Sequence, residues 1–215
     1  MMDKQYCIFD MDGTLVDSMG YWERLGIEYL TAQGVSEERA EQAFGQISSM
    51  TLLQAVEFLL EELRLSGTPQ EMINGMQQVM ENHYRQDVLL KPGIREYLEK
   101  LKKRGCRMCV ATATAEPLAR ICLERLGIDH YFEFLLSCES IGVGKGSPDI
   151  YLMGAQKLGG KPEDTAVFED AFYAAKTAKE AGFYTVGVKD DGQRCDWARL
   201  SVLADEAITS WQEAM

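Results

Sequence analysis

The chain has 215 residues, of which 46% are hydrophobic and 26% charged, and its formal net charge is −12. This length can bury a full core, as one domain or as one domain with an insertion, and the composition excludes global disorder. Because phosphate backbones attract clustered lysine and arginine, the negative charge argues against nucleic acid as the main partner. It does not exclude a small phosphorylated ligand, since one local site can oppose the sign of the whole chain.

Neither a secretion signal nor a membrane span is predicted. The N-terminus lacks a basic segment followed by an apolar one, and the longest apolar runs fall far below the ~18 residues that a span needs. The six cysteines are therefore expected to be reduced thiols. These features together predict a cytoplasmic protein that does not bind membranes.

The N-terminal part of the chain combines one short strand with a long helical block. The strand is predicted at 5–9, and no strand pattern follows between about 18 and 88. This block holds eleven acidic residues and four arginines, a net charge of −7, and it contains no lysine. Its helical patterns cover 20–33, 37–46, 50–64 and 69–85. The sequence therefore predicts an all-helical insertion after the first strand.

Strands and helices alternate through the rest of the chain. The strand runs lack polar alternation, which is typical of parallel strands covered on both faces, and each helical pattern between them ends at a glycine. The predicted strands are 107–111, 133–137, 165–168 and 183–188, and the predicted helices are 94–104, 116–126, 148–158 and 171–181. The predicted fold class is α/β: a doubly wound, Rossmann-like parallel sheet core with an inserted all-helical cap domain. We assign 1–16 and 89–215 to the core and 17–88 to the cap.

Polar residues follow the predicted strands at the end where open α/β sheets bind ligands. Carboxylates follow the first and fourth strands, a pair of threonine hydroxyls follows the second, and a lysine lies a few residues after the third. In chain order these residues are Asp10, Asp12, Thr112, Thr114, Lys145, Glu169 and Asp170. We expect them to meet at one edge of the sheet.

Four close carboxylates need a compensating cation to ionise together. Oxygen ligands favour Mg²⁺ over zinc, and the only two histidines, His83 and His130, lie outside these stretches. A carboxylate beside a metal ion and a lysine can attack phosphorus, while a hydroxyl and neighbouring N–H groups hold the phosphoryl oxygens. The pattern therefore indicates chemistry on a phosphate group.

The segment DMDGTLVDS, residues 10–18, resembles motif I of the haloacid dehalogenase superfamily. The other motifs follow in order: Thr112, then Lys145 shortly before the pair Pro148-Asp149, then the acidic FEDA at 168–171. The position of the helical insertion and the letters LVDS are similar to the β-phosphoglucomutase-like subgroup. The sequence departs from the usual motifs where Gly146 stands for proline and Ala171 for serine, but no reacting group is lost.

The resemblance implies a nucleophile and a metal site. Asp10 would become phosphorylated and would also bind Mg²⁺. Asp12 would serve as general acid to the leaving group and then as base for water, with its backbone carbonyl also binding the metal. Glu169 and Asp170 would complete the metal site.

The resemblance also implies which groups bind the transferred phosphoryl group. The Thr112 hydroxyl and the Ala113 N–H would hold it, and Lys145 would bridge it to the nucleophile. We predict that Asp17 and Ser18 cap a helix at the hinge of the inserted domain.

These residues point to a Mg²⁺-dependent phosphatase that acts on a small phosphorylated metabolite through an aspartyl-phosphate. Asp12 argues against a dehalogenase, which lacks this second acid, and a phosphonate hydrolase of this family would need a lysine in the cap. A sugar-phosphate mutase of the β-phosphoglucomutase type stays open as the alternative. It would need cations in the cap for a second phosphate, whereas the turn 44–49, expected to face the site, has none. A catalytically silent binding protein on the same fold is a further alternative.

Overall fold

The computed structural model describes residues 4–47, 50–192 and 195–214. The chain divides into two compact units. The first, here called the sheet unit, consists of Met1–Met19 and Val88–Met215, and the second, the helical unit, is Gly20–Asp87. That the helical unit acts as a cap remains a prediction.

The bounds of the regular elements follow in chain order. The first half of the chain contains β1 Tyr6–Phe9, β2 Val16–Asp17, α1 Met19–Ala32, α2 Glu37–Phe44, α3 Leu52–Glu62, α4 Pro69–Gln86, β3 Leu89–Leu90 and α5 Ile94–Lys103. The second half contains β4 Arg107–Thr112, α6 Glu116–Arg125, β5 Leu135–Ser137, α7 Cys138–Ile141, α8 Asp149–Leu158, β6 Thr165–Glu169, α9 Phe172–Glu180, β7 Tyr184–Val188, α10 Trp197–Leu203 and β8 Glu206–Ile208. Two short 3₁₀ turns lie at Asp129–Tyr131 and Pro162–Asp164.

The sheet unit contains a six-stranded parallel sheet in the order β5-β4-β1-β6-β7-β8. The chain starts in the middle with β1, fills one side with β4 and β5, and then returns to fill the other side, which is the doubly wound topology. The predicted α/β fold class is therefore confirmed. A second, antiparallel ribbon pairs β2 with β3, which precede and follow the helical unit in the sequence.

The central strands are held by apolar packing on both faces of the sheet. Ile8 belongs to one buried cluster, in which it packs with Cys109 and Val167. Phe9 points the other way, because side chains alternate along a strand, and its ring stacks on Phe168 at 4.3 Å between centroids. The register aligns Phe9 with Phe168 on one side and with Val110 on the other. The residues that follow β1, β4 and β6 therefore emerge at one edge of the sheet.

The helical unit is built around its own apolar core, which includes Leu30, Val56, Leu59 and Met72. Capping boxes start two of its helices: Thr51 caps α3, and Thr68 caps α4, where the Thr68 N–H donates to Glu71 at 2.7 Å. These caps explain why the helices begin where they do. Across the residues that the structure describes, no helix has the length and apolarity needed to cross a membrane.

Candidate active site

Asp10 lies directly after β1 at the carboxyl edge of the sheet. Its N–H donates to the carbonyl of Phe168 at 3.0 Å, which continues the pairing of β1 with β6, and only 6% of the residue is exposed. Lys145, from the loop before α8, donates to Asp10 Oδ1 and, at 2.7 Å, to Glu169 Oε1. One buried ammonium group thus joins carboxylates from two neighbouring strands.

Positive charge is scarce in this cluster. Burial raises the pKa of Asp10 well above its usual range, although the Lys145 charge acts in the opposite direction. Burial also raises the pKa of Asp170 to about 7, with a further contribution from the Glu169 charge. Burial alone would lower the pKa of Lys145. The negative charges of Asp10 and Glu169, and the hydrogen bonds to them, outweigh burial and raise the pKa of Lys145. Three carboxylates against one ammonium leave a formal charge of −2 when all are ionised.

The same three carboxylates fit a divalent cation. Asp10, Glu169 and Asp170 each offer an oxygen, and these oxygens lie within 4.8 Å of one another. Glu169 Oε2 is buried and has no hydrogen-bond partner within the described part of the chain. An unsatisfied carboxylate oxygen is costly to bury, and a cation would satisfy it. The donor set is all oxygen, as hard divalent ions require.

The turn after Asp12 depends on glycine. Gly13 has a φ of +80°, and a Cβ built there would lie 2.5 Å from Asp170 Oδ2. Thr14 braces the turn from both sides: its hydroxyl donates to Asp170 Oδ1 at 3.4 Å, and its carbonyl accepts from Trp211 Nε1 at 3.1 Å. The turn therefore packs directly against the carboxylate cluster.

Asp12 is only half-buried and has different partners from Asp10. Its Oδ1 accepts from the Ser18 hydroxyl at 2.7 Å, and its Oδ2 accepts from the Thr114 hydroxyl at 2.7 Å. The sequence predicts that Ser18 caps a helix. In the structure, the hydroxyl of Ser18 also supports the side chain of Asp12. Asp17 lies exposed in β2.

Thr112 and Ala113 lie where β4 ends. Thr112 is fully buried, and its Oγ1 accepts the backbone N–H of Thr114 at 3.0 Å. Because a hydroxyl group also carries a proton, Thr112 can still donate to a ligand oxygen. Ala113 is exposed between these two threonines. A role for both residues in phosphate binding remains a prediction.

The structure brings the predicted residues together in two linked groups. One group joins Asp10 to Lys145 and Glu169, and the other joins Asp12 through Thr114 to Thr112. The negative charge of Asp12 also contributes to the raised pKa of Asp10, although burial is the main cause. Because Asp10 and Asp12 are two residues apart, the two groups lie next to each other at this edge of the sheet.

Three further polar residues belong to the site. Thr114, which was expected at this edge without an assigned role, donates to Asp12, and the Tyr151 hydroxyl, which was not predicted, donates to Glu169 Oε1 at 2.7 Å. Asp190 follows β7 at the same edge of the sheet, is 6% exposed and pairs with Lys91. Asp190 had a usable signal, since it is an acid just after a predicted strand. Tyr151 had no such signal, because in the sequence it looks like an ordinary core aromatic.

Comparison with known proteins identifies one family that matches most of the chain. A family model for haloacid dehalogenase-like hydrolases matches residues 4–182. A phosphorylated carbohydrates phosphatase of Thermotoga maritima is 28% identical over 177 residues, which cover 81% of this chain and 80% of that protein. The fructose-1-phosphate phosphatase YqaB of Escherichia coli is 25% identical over 182 residues, covering 85% of this chain and 95% of the relative.

A solved structure shows the same fold over almost the entire chain. It comes from Thermotoga maritima, and its assignment as a β-phosphoglucomutase is itself provisional. The TM-score is 0.78 at 25% identity, with 97% of this chain and 95% of that chain covered. This agrees with the predicted β-phosphoglucomutase-like subgroup. The chain belongs to the haloacid dehalogenase-like hydrolase family and is a phosphohydrolase, as are its relatives named phosphatases.

Proposed function

We propose that this enzyme is a Mg²⁺-dependent phosphatase that hydrolyses a small phosphomonoester through an aspartyl-phosphate on Asp10. The observation that carries the proposal is the contact of Lys145 with Asp10 inside a buried cluster with Glu169 and Asp170. A nucleophilic carboxylate beside a fixed cation, at the ligand-binding edge of the sheet, is suited to attack on phosphorus. The family membership supports the same reaction class.

In the first step, a carboxylate oxygen of Asp10 attacks phosphorus while the bond from phosphorus to the alcohol oxygen breaks. Asp12 gives its proton to the leaving oxygen, so a neutral alcohol departs. The Thr112 hydroxyl and the Ala113 N–H donate to the phosphoryl oxygens, and Lys145 offsets their charge. The product of this step is a phosphoryl group on Asp10.

In the second step, Asp12, now a carboxylate, takes a proton from water as the water oxygen attacks phosphorus. The bond between phosphorus and Asp10 breaks, and inorganic phosphate leaves. Asp12 is then protonated and Asp10 is free again, so both residues return to their starting states. The balance is one phosphomonoester and one water converted to one alcohol and one phosphate.

The metal site that we propose uses the side chains of Asp10, Glu169 and Asp170 and the backbone carbonyl of Asp12. The family generally uses a divalent metal ion, and the buried acidic cluster fits one. We favour Mg²⁺ because every donor is oxygen and because Mg²⁺ commonly accompanies phosphate substrates. When bound, the ion would neutralise charge on the carboxylates and on the phosphate.

We propose a phosphorylated carbohydrate, whose remainder is uncharged, as the substrate class. The names of the relatives support this class, since they include a phosphorylated carbohydrates phosphatase and a fructose-1-phosphate phosphatase. A second phosphate on the substrate, as in a mutase bisphosphate, would require unpaired cations in the predicted cap.

The arginines of the helical unit lie near its own acids. Two of them form ion pairs, Arg24 with Glu37 and Arg85 with Glu81. The other two, Arg39 and Arg64, line one concave region together with Glu61, Glu62, Phe58 and Leu63. In the turn expected to face the site, Ser48 and Ser49 lie outside the described residues. The charge balance of the helical unit thus supports the phosphatase proposal over the mutase alternative.

We also propose that the enzyme works in the cytoplasm. All six cysteines are free, and four of them are buried. Free thiols are typical of reducing compartments.

The proposal is tested by phosphate release from p-nitrophenyl phosphate. We expect release to require Mg²⁺, to stop on chelation, and to fall by at least about a thousandfold in Asp10→Asn, because the nucleophile is lost. Asp129→Asn, which changes an exposed acid in the same way, should retain the parent rate. An inactive parent would favour a silent binding protein on this fold, and an Asp10→Asn variant as active as its parent would mean that the observed hydrolysis does not use Asp10.

A panel of phosphorylated metabolites would then test the substrate class. We expect the highest kcat/KM among sugar and hexitol monophosphates. Conversion of β-glucose 1-phosphate to the 6-phosphate in the presence of a bisphosphate primer would instead identify a mutase.

A further inference from the structure

The two acids that follow β1, Asp10 and Asp12, are held by partners of different chemistry. Asp10 is bound by the ammonium group of Lys145, whereas each oxygen of Asp12 accepts from a hydroxyl, Ser18 on Oδ1 and Thr114 on Oδ2. Both hydroxyl contacts measure 2.7 Å, a normal length for an O–H···O bond. The difference matters because, under the proposed function, only Asp12 has to exchange a proton during the reaction.

Hydroxyl partners suit a residue that must work both with and without its proton. A hydroxyl can donate to a carboxylate and can accept from a carboxyl group after a simple rotation. An ammonium group can only donate. Two hydroxyls, one on each carboxylate oxygen, can therefore fix the direction of the Asp12 side chain.

The backbone of Thr114 is held in place by a hydrogen bond. Its N–H donates to Thr112 Oγ1 at 3.0 Å, and both residues are buried. Thr112 is the residue proposed to bind the transferred phosphoryl group. One short segment after β4 thus links the phosphoryl-binding hydroxyl to the residue that moves the proton.

We propose that Thr114 is a positioning residue that aims Asp12 at the leaving-group oxygen, with Ser18 as its counterpart on the other carboxylate oxygen. The inference rests on the proposed function, because it assigns a partner to the general acid of that reaction. Well-oriented general acids typically contribute a factor of about 10²–10⁴, and their effect depends on hydrogen-bond reach to the reacting group. Loss of the Thr114 hydroxyl should therefore weaken proton delivery and leave the attack by Asp10 intact.

The test compares Thr114→Val with the parent on two aryl phosphates of similar shape. p-Nitrophenolate is a good leaving group that departs with little help from an acid, whereas the leaving oxygen of phenyl phosphate needs its proton. We expect kcat/KM of Thr114→Val to fall about tenfold more on phenyl phosphate than on p-nitrophenyl phosphate. Thr114→Ser, which keeps the hydroxyl, should recover most of the loss on phenyl phosphate, and Ser18→Ala should show the same leaving-group dependence as Thr114→Val.

Thr165→Val is the matched control. Thr165 is a buried threonine in the same sheet, at the start of β6, and its hydroxyl donates to the Lys161 carbonyl at 2.7 Å. This variant should lose stability without changing the ratio between the two esters. An equal loss on both esters in Thr114→Val and Ser18→Ala, or no loss in either variant, would overturn the inference while leaving the phosphatase proposal in place. A parent that hydrolyses neither ester would overturn both.

Discussion

The sheet unit and the helical unit differ in whether they bury charged side chains. The sheet unit buries Asp10, Lys145, Glu169, Asp170 and Asp190. Among the described residues of the helical unit, no polar or charged residue is buried in this way, and its arginine ion pairs, such as Arg24 with Glu37, lie at the surface. One unit therefore contains ionisable groups that cost free energy to bury, while the other is stabilised by apolar packing and helix caps.

This difference indicates where the chemistry is located. Burying a carboxylate costs several kcal/mol unless it is paired, as a rough general magnitude, so a cluster of three is retained only where something offsets that cost. The reaction that we propose uses all of these groups.

The largest expected effect is loss of the buried ammonium group. We expect Lys145→Met to lower the free energy of unfolding by about 3 kcal/mol without divalent metal, because Asp10 and Glu169 are left without their cation. The measurement is chemical denaturation near pH 8. Added Mg²⁺ should narrow the gap between variant and parent, since the proposed metal supplies part of the missing charge.

Arg24→Met in the helical unit is the comparison for that variant. Arg24 pairs with Glu37, and both side chains are 58% exposed. Exposed ion pairs contribute at most about 1 kcal/mol, so the change should be within that limit and independent of Mg²⁺. Equal losses in the two variants would mean that burial does not distinguish the charges of the two units.

The second largest expected effect concerns Tyr151, which hydrogen-bonds to the proposed metal ligand Glu169. Tyr151 donates to Glu169 Oε1 and so leaves Oε2 as the buried, unpartnered oxygen of the described site. Groups that orient metal ligands typically change metal affinity by about 10–100-fold when removed. We expect Tyr151→Phe to weaken Mg²⁺ binding within that range, as measured by the Mg²⁺-dependent increase in Tm.

Tyr131→Phe provides the control for the Tyr151 prediction. Its hydroxyl also donates to a glutamate, Glu99 Oε2 at 3.0 Å, but outside the acidic cluster. This variant should bind Mg²⁺ like the parent. If both variants bind it equally well, the Tyr151 hydroxyl does not orient the metal site.

Much of the fold could be predicted because the central strands are buried on both faces. β1, β4, β6 and β7 are continuous apolar runs, and such runs are visible in a single sequence. The ribbon of β2 and β3 and the edge strand β8 were missed. These strands have two or three residues each, too few to show a period, and they form through pairing with distant segments, such as Val16 with Leu90.

The acids of the site could be predicted for the same reason. Parallel strands in register place the residues that follow them at one edge, so Asp10 and Glu169 had to approach each other. The same argument places the Thr114 hydroxyl at this edge, but it does not predict the hydrogen bond from Thr114 to Asp12, which depends on the geometry of a loop. Tyr151 reaches Glu169 through the packing of a helix, which leaves no periodic signal in the sequence. Ser18 was given a local role at a helix start, whereas its hydroxyl bonds back to Asp12.

The smallest expected effect concerns the charge of His83 in the helical unit. Partial burial lowers the pKa of its ring, but hydrogen bonds to Glu28 and Asp87, each 2.8 Å long, outweigh burial and raise that pKa overall. A raised pKa in the folded state means that protonated His83 stabilises the unit fully below the unfolded value of about 6.5, and that this stabilisation is lost as the pH rises through the folded value. We therefore expect His83→Gln to lower stability by less than about 1 kcal/mol under mildly acidic conditions, and the difference from the parent to disappear toward alkaline pH. The measurements are thermal unfolding of both proteins across this range and an NMR titration of the His83 ring. A difference that stays constant or grows with pH would contradict the prediction, and it would mean that the charge of His83 does not contribute to the stability of the helical unit.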